Sequence, residues 1–188
     1  LARRLERLSR AQTINPGELD AACEALQASM AALRGLIDEA KPTVLHLFGF
    51  AQAVENHLER AIRDSGQPIE GELVDESGGV IDTMTASVSV AMLRIVQEAV
   101  NNAVSHALAR SLEVRIEVAR GQVVVSVTDD GRGLTQEHRP GGTGIDNMRT
   151  RARLIGARFS LGSGGEGKGT VMRVALPIVA AQVGVRSA

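Results

Sequence analysis

Along residues 91–107, AMLRIVQEAVNNAVSHA, apolar side chains return every three or four positions: Met92, Ile95, Val96, Ala99, Val100, Ala103, Val104 and Ala107. That period predicts one amphipathic helix with its apolar stripe against a core. The opposite stripe is Glu98, Asn102 and His106 at four-residue steps, with Asn101 and Ser105 beside them, so these side chains point to one side. A solvated helix face usually carries long Lys and Glu side chains. This one offers a carboxylate, two short amides, a hydroxyl and an imidazole, which suits the wall of a polar pocket holding a metal or a phosphate. A surface stripe that is merely polar would be spelled the same way.

The same pattern reading orders the rest of the chain. Residues 1–11, LARRLERLSRA, put Leu1, Leu5 and Leu8 on one face and read as the tail of a longer helix. The Asn-Pro-Gly of residues 15–17 signals a turn, and a second helix over 19–39 carries Leu26, Met30, Leu33 and Ile37 on a heptad-like seam. Two such helices cannot bury their seams alone, so a hairpin that dimerises into a bundle is expected. Pro42 ends that helix, and a third runs over 47–65. Residues 69–74 alternate as a strand, 76–82 form a glycine-containing loop, and Thr85 or Ser87 can cap the central helix. Strands over 112–119 and 122–128 are joined by Arg120-Gly121, a hairpin signal. A polar loop over 129–142 precedes a helix over 145–155 that Gly156 closes. Two last strands, 158–161 and 170–177, flank the loop 162–169. Helices mixed with several antiparallel pairings indicate an α+β sandwich.

Composition narrows the function. A net charge of −1 gives no bulk attraction for nucleic acid or an anionic membrane. Trp and Tyr are absent and Phe numbers three, so the core is built from Leu, Ile, Val and Ala, and stacking a base between aromatic rings is not expected. The single cysteine, Cys23, can make no internal disulfide and reads as a small buried hydrophobe. No apolar run approaches the roughly 20 residues of a membrane span, and no signal-peptide pattern is present. A cytoplasmic location is expected, with any membrane anchor of a longer protein lying outside these residues.

Three glycine clusters carry candidate chemistry. Asp129-Asp130-Gly131-Arg132-Gly133 directly follows a strand. A carboxylate there can accept a hydrogen bond from an exocyclic amine while the glycine backbone approaches a flat ring. Gly141-Gly142-Thr143-Gly144 opens a helix, whose free N–H groups and dipole favour phosphate oxygens. Residues 164–170, GGEGKGT, lie before a strand and so do not form a Walker loop, which needs a helix next. Taken singly, each cluster marks no more than a turn.

In this order, with Glu98 and Asn102 ahead of them, the four segments fall within about 80 residues and resemble the catalytic ATP-binding domain of sensor histidine kinases. That domain belongs to the superfamily that includes gyrase, Hsp90 and MutL. IVQEAVNNAVSHA is similar to its asparagine box, DDGRG to its first glycine box, and GGTGIDNMRTRARLIGA and GKGT to the two later ones. The sub-type resembled is the NarL/DesK-like group. The resemblance covers residues 46–178 well and the hairpin more loosely. It implies an α/β sandwich with a mixed, mostly antiparallel sheet packed on helices, preceded by a helical dimerisation and phosphotransfer hairpin (residues 1–45 and 46–188). It also implies ATP and Mg²⁺ as cofactors. Asn102 would coordinate Mg²⁺ on the ATP phosphates, and Glu98 would orient or deprotonate the attacking group. Asp129 would bind the adenine amino group, with Gly131 and Gly133 allowing close approach. Gly142 and Gly144 would hold the phosphates under a short lid, and Thr170 would lie by the adenine. His106 is open between a phosphate contact and a structural hydrogen bond, and Arg149 between steering phosphate and solvated charge.

The family's phosphoacceptor is a histidine on the first hairpin helix, and residues 1–11 contain none. His46, His57, His106 and His138 all lie elsewhere, so the chain reads as starting downstream of its acceptor, able to bind ATP and unable to phosphorylate itself. The resemblance implies transfer of the γ-phosphoryl to that upstream histidine and then to an aspartate of a response-regulator receiver domain. It further implies a homodimer through the N-terminal helices, with no nucleic acid partner and no direct membrane contact. Two rivals stand beside it: a serine kinase of the anti-sigma-factor type, which lacks such a stalk, and a catalytically silent nucleotide-binding module, against which intact Glu98, Asn102 and Asp129 weigh. A gyrase- or MutL-like ATPase would need a transducer domain for which there is no room.

Overall fold

The computed structural model describes residues 42–133, 143–164 and 168–178. All but the first two of these fall in one compact unit, Val44–Ala188. Residues 1–41 of the expected hairpin over 1–45, and Gly142, lie outside the described residues.

The chain runs α1 (Pro42–Ser65), β1 (Glu70–Glu76), a 3₁₀ turn (Val80–Thr83), α2 (Ala86–Asn102), a π turn (Ala103–Ala107), β2 (Ser111–Ala119), β3 (Gln122–Asp129), α3 (Thr143–Leu154), β4 (Arg158–Ser163) and β5 (Thr170–Pro177). The strands form one sheet in the order β1-β2-β3-β5-β4. Only β1–β2 is parallel; the other three pairings are antiparallel. This is the α+β sandwich expected from the sequence, with one sheet face covered by the three helices.

Strand alternation builds the core and also aims the chemistry. Leu73, Val114, Val127, Met172 and Leu161 stand in register across the sheet, and Ile116, Val125, Val174 and Phe159 form the next row. These residues pack with Met92, Ile95, Val96 and Val100 of α2 and with Met148 and Ala152 of α3. On β3 the inward residues are Val123, Val125 and Val127, all buried. Two steps further the same face carries Asp129, paired with Thr170 of β5. Period-2 geometry therefore turns a carboxylate toward the helix layer at the sheet's end.

Several boundaries differ from the pattern reading. The central helix starts at Ala86 with Thr85, one of the two expected caps, at its N-cap; the Thr85 hydroxyl makes no capping bond and instead meets Ser87 Oγ at 3.3 Å. Its last turn widens into a π turn that stops at Leu108 in a left-handed conformation, φ 55°. The expected third helix begins at Pro42, whose missing N–H costs nothing in a first turn. It breaks at Gly49, φ 83°, where Asp82 Oδ1 accepts the Phe50 N–H at 2.9 Å. A carboxylate there starts the second half of α1 as a cap, typically worth about 1 kcal/mol. At the hairpin, Arg120 and Gly121 both take positive φ, 52° and 71°, the geometry of a two-residue type I′ turn. Helix α3 ends as expected at Gly156, where Gly156 N–H donates to Arg153 O and Ala157 N–H to Ala152 O, a Schellman closure.

Helices α1 and α2 are tied by polar side chains. His57 Nε2 lies 3.1 Å from Asn101 Oδ1, and Arg60 Nη2 lies 3.2 Å from His57 Nδ1. Burial and the Arg60 charge, with Arg94 of α2 adding to it, hold the imidazole below its ordinary value, although the Asn101 contact favours the charged form. The folded chain thus prefers neutral His57. That stabilisation is complete above about pH 6.5, the unfolded value, and is lost as the pH falls from there through the lower folded value. The thermal midpoint should fall between about pH 7 and about pH 5. His57→Gln, which keeps a donor for Asn101, should flatten that fall; an identical pH profile in the variant would contradict this assignment.

Candidate functional site

At the end of the sheet where Asp129 turns inward, a cavity of about 410 Å³ opens between α2, α3 and the last strands. That is within the size range of small-molecule sites, about 300–1,000 Å³. Helix α2 supplies Glu98 and Asn102, and its π turn supplies His106 and Ala107. The wider turn offsets the angular drift that four-residue steps accumulate on a 3.6-residue helix, and His106 lines the same cavity as Asn102. Asp129, Arg132 and Gly133 come from the end of β3, Gly144 from the start of α3, and Thr170 from β5. Between these polar groups the wall is apolar: Ala99, Ala103, Val127, Ile145, Met148, Leu161 and Met172. Flexible thioethers next to branched aliphatics make a slot that fits the face of a flat heteroaromatic ring.

Asp129 is the best-fixed polar group. It is 7% exposed, and its Oδ1 accepts the Gly131 N–H at 2.9 Å and the Thr170 N–H at 3.3 Å. A carboxylate can accept about four hydrogen bonds, so acceptor capacity remains for a donor entering the cavity. The surrounding backbone is packed without slack. Gly169 N–H donates to Gly131 O at 2.8 Å, and Gly164 N–H to Gly169 O at 3.1 Å. A Cβ on Gly169 would fall inside the Asp129 carbonyl oxygen. One on Gly144 would fall inside the Glu98 carboxylate, with Asn102 Nδ2 3.6 Å away. The start of α3 at Gly144 therefore sits directly against Glu98 and Asn102. Its N–H groups and helix dipole suit phosphate oxygens.

Most of the residues singled out from sequence meet here. Glu98, Asn102, Asp129, Gly133, Gly144 and Thr170 line the cavity, as does His106. Gly131 lies behind the wall, donating to Asp129 and packing on the Ala107 carbonyl. Two members of the polar stripe leave it: Asn101 turns to His57, and Ser105 is exposed away from the lining. Arg149 pairs with Asp146 at 2.9 Å on the α3 surface and does not line the cavity. Sequence reasoning missed Arg132 and the apolar wall. The wall was visible only as core periodicity, in which a ring-binding methionine and a core methionine look alike.

Among the described residues no helix is long and apolar enough to cross a membrane. Nor do three or more His, Cys, Asp or Glu side chains gather there as a metal site. A cation at Asn102 would need further oxygens from a ligand.

The comparisons with known proteins agree with this geometry. Residues 87–180 match the family model "Histidine kinase-, DNA gyrase B-, and HSP90-like ATPase". A sensor-like histidine kinase of Chloroflexus aurantiacus is 30% identical over 86% of this chain and 28% of its own length. The sensor histidine kinase LiaS of Bacillus subtilis is 27% identical over 78% of this chain and 39% of its length. The chain thus spans well under half of each relative. A solved histidine kinase domain from Erythrobacter litoralis superposes with a TM-score of 0.65 at 19% identity, covering 96% of this chain and 93% of that one, a likeness of fold. On the family match and the similarity to sensor histidine kinases, the chain belongs to the histidine kinase-, DNA gyrase B- and HSP90-like ATPase family, on its sensor histidine kinase branch.

Proposed function

We propose that the chain is the ATP-binding catalytic part of a two-component sensor kinase. In this reading it presents the γ-phosphoryl of Mg²⁺-bound ATP to a histidine, from which the group passes to an aspartate on a response-regulator receiver domain. The parent protein would work as a homodimer through its N-terminal helices, on the cytoplasmic side. The observation that carries the reading is the convergence of Glu98, Asn102, Asp129, Gly144 and Thr170, from four elements, on one slot with an apolar wall.

Each residue has a role the geometry supports. Asp129 accepts from the adenine amino group while Met148, Met172 and Leu161 enclose the ring. The N–H groups at the start of α3, beside Gly144, hold phosphate oxygens. Asn102 offers a neutral amide oxygen to the divalent cation, whose positive charge offsets that of the phosphates. Phosphoryl transfer needs positioning and charge neutralisation more than covalent help from the protein. Glu98, one turn before Asn102, orients the accepting imidazole and takes its proton as the N–P bond forms and the bond from phosphorus to the ADP oxygen breaks.

The test is incubation of the protein, in the longer form that carries a hairpin histidine, with γ-labelled ATP and Mg²⁺. Label that is stable to base and labile to acid is expected. Glu98→Gln should slow its appearance by about 10²–10³-fold, with ATP affinity held within about threefold. Acid-stable label on serine would favour the anti-sigma-factor-type kinase instead, and binding without any transfer would favour the silent module.

A further inference from the structure

Asp130 stands next to the adenine-side carboxylate, yet it does not line the cavity and is exposed to solvent. One oxygen of its carboxylate is nevertheless bonded to another part of the chain. Asp130 Oδ1 accepts the Arg110 N–H at 2.8 Å and the Ser111 N–H at 2.9 Å. The backbone adds to this: Asp130 N–H donates to Ser111 O at 3.3 Å, and Arg132 N–H donates to Ala107 O at 2.8 Å. Gly131 lies so close on the Ala107 carbonyl that no Cβ fits between them. Backbone hydrogen bonds from Ser111 and Arg110 hold the Asp130 carboxyl below the ordinary aspartate value, so it is ionised wherever the protein is folded near neutral pH.

The segment held in this way is strained. Leu108 has φ 55°, a conformation that favours glycine or asparagine, and its side chain is 73% exposed, so no apolar burial rewards it. Such a backbone persists only where its surroundings over-determine it. On one side of Leu108 lies the π turn with His106 and Ala107, one wall of the cavity; on the other lie the two amides bonded to Asp130.

We infer that Asp130 is a positioning residue of the nucleotide site: its carboxylate fastens the Arg110 and Ser111 amides to the loop 129–133 and, beside the Arg132 N–H bond to the Ala107 carbonyl, helps fix the His106–Ala107 wall against the Asp129 wall. The inference rests on the nucleotide reading of the cavity. Asp130 touches no ligand. It acts through the separation of two walls that do.

The experiment compares the unaltered chain with Asp130→Ala and Asp130→Asn. It combines calorimetric titration of Mg²⁺–ATP and Mg²⁺–ADP with amide hydrogen exchange at Arg110 and Ser111. In Asp130→Ala both amides should exchange about tenfold faster or more, and both nucleotides should weaken by a similar factor, on the order of tenfold. In Asp130→Asn the amide oxygen accepts the same two bonds, and affinity should return to within about threefold. If Asp130→Ala does not fold at the assay temperature, Asp130→Glu, which displaces the acceptor by one methylene, carries the same expectation. Full affinity in Asp130→Ala beside fast-exchanging amides overturns the positioning role, as does an Asp130→Asn chain that binds no better than Asp130→Ala. An unaltered chain that binds neither nucleotide overturns the reading of the cavity and the positioning role with it.

Discussion

Gly169→Ala is expected to lower the unfolding free energy by about 3 kcal/mol or more and to abolish nucleotide binding. Gly169 has φ 69°, where an L side chain meets its own backbone, at a cost of about 1–2 kcal/mol. Packing costs more. The added methyl would lie inside the Asp129 carbonyl oxygen, 2.8 Å from the Asp129 carbonyl carbon and 3.0 Å from Asp130 Cα, so every obstacle is main chain. None can rotate away. Relief requires the loop at Gly169 to part from the loop at Gly131, breaking the Gly169 N–H bond to Gly131 O and moving Thr170, one of the two donors that orient Asp129. Scanning calorimetry should show a midpoint lower by about 10 °C. Gly162→Ala is the control: nothing lies within 4 Å of the position a Cβ would take there, so its midpoint should stay near that of the unaltered chain.

Asp129→Asn is expected to weaken ATP by about 100-fold while leaving the fold intact. The asparagine oxygen can still accept from Gly131 and Thr170, so the local bonds at 2.9 Å and 3.3 Å survive. Those two N–H groups fix which atom faces them, and the new NH₂ group is left on the ligand side. A donor then confronts the exocyclic amine, itself a donor. Losing a hydrogen bond to a charged acceptor costs about 1.5–3 kcal/mol, and an unpaired donor in a buried slot adds to it. At about 1.4 kcal/mol per tenfold, the sum is near 100-fold. Asp129→Asn should bind ATP and ADP with the same deficit, because the hydrogen bond it lacks is to the base; a deficit confined to ATP would place Asp129 near the phosphates instead.

The sequence made Asp129 legible at a strand end and hid both the face it turns to and the shape of the helix beside it. In the folded sheet, alternation through Val123, Val125 and Val127 leads to an inward carboxylate, because strand period is fixed by the backbone. Four-residue spacing aligned Glu98 with Asn102. Asn101 and Ser105, assigned to the same stripe, sit about 100° from their neighbours on a 3.6-residue helix, and packing decides which flank they join. For Asn101 the deciding group is His57, a residue 44 positions earlier. The π turn was hidden for the same reason: it depends on Ala107 being held by Arg132 N–H and Gly131, contacts formed only after β2 and β3 pair. The break at Gly49 is set by Asp82, which accepts the Phe50 N–H from 32 positions further along the chain. Strand β1, expected over 69–74, runs on to Glu76 because the parallel ladder with β2 continues to Glu117. Local period predicted the elements; long-range hydrogen bonds set their ends and their irregular turns.

The central claim is that the cavity between α2, α3 and the last strands is a nucleotide site built on Asp129. Calorimetric titration of Mg²⁺–ATP into this chain, with Asp129→Asn alongside, tests it most directly. Saturable binding of one nucleotide per chain is expected, with affinity reduced about 100-fold in the variant. Equal binding by both chains, or no binding by the unaltered one, would contradict it.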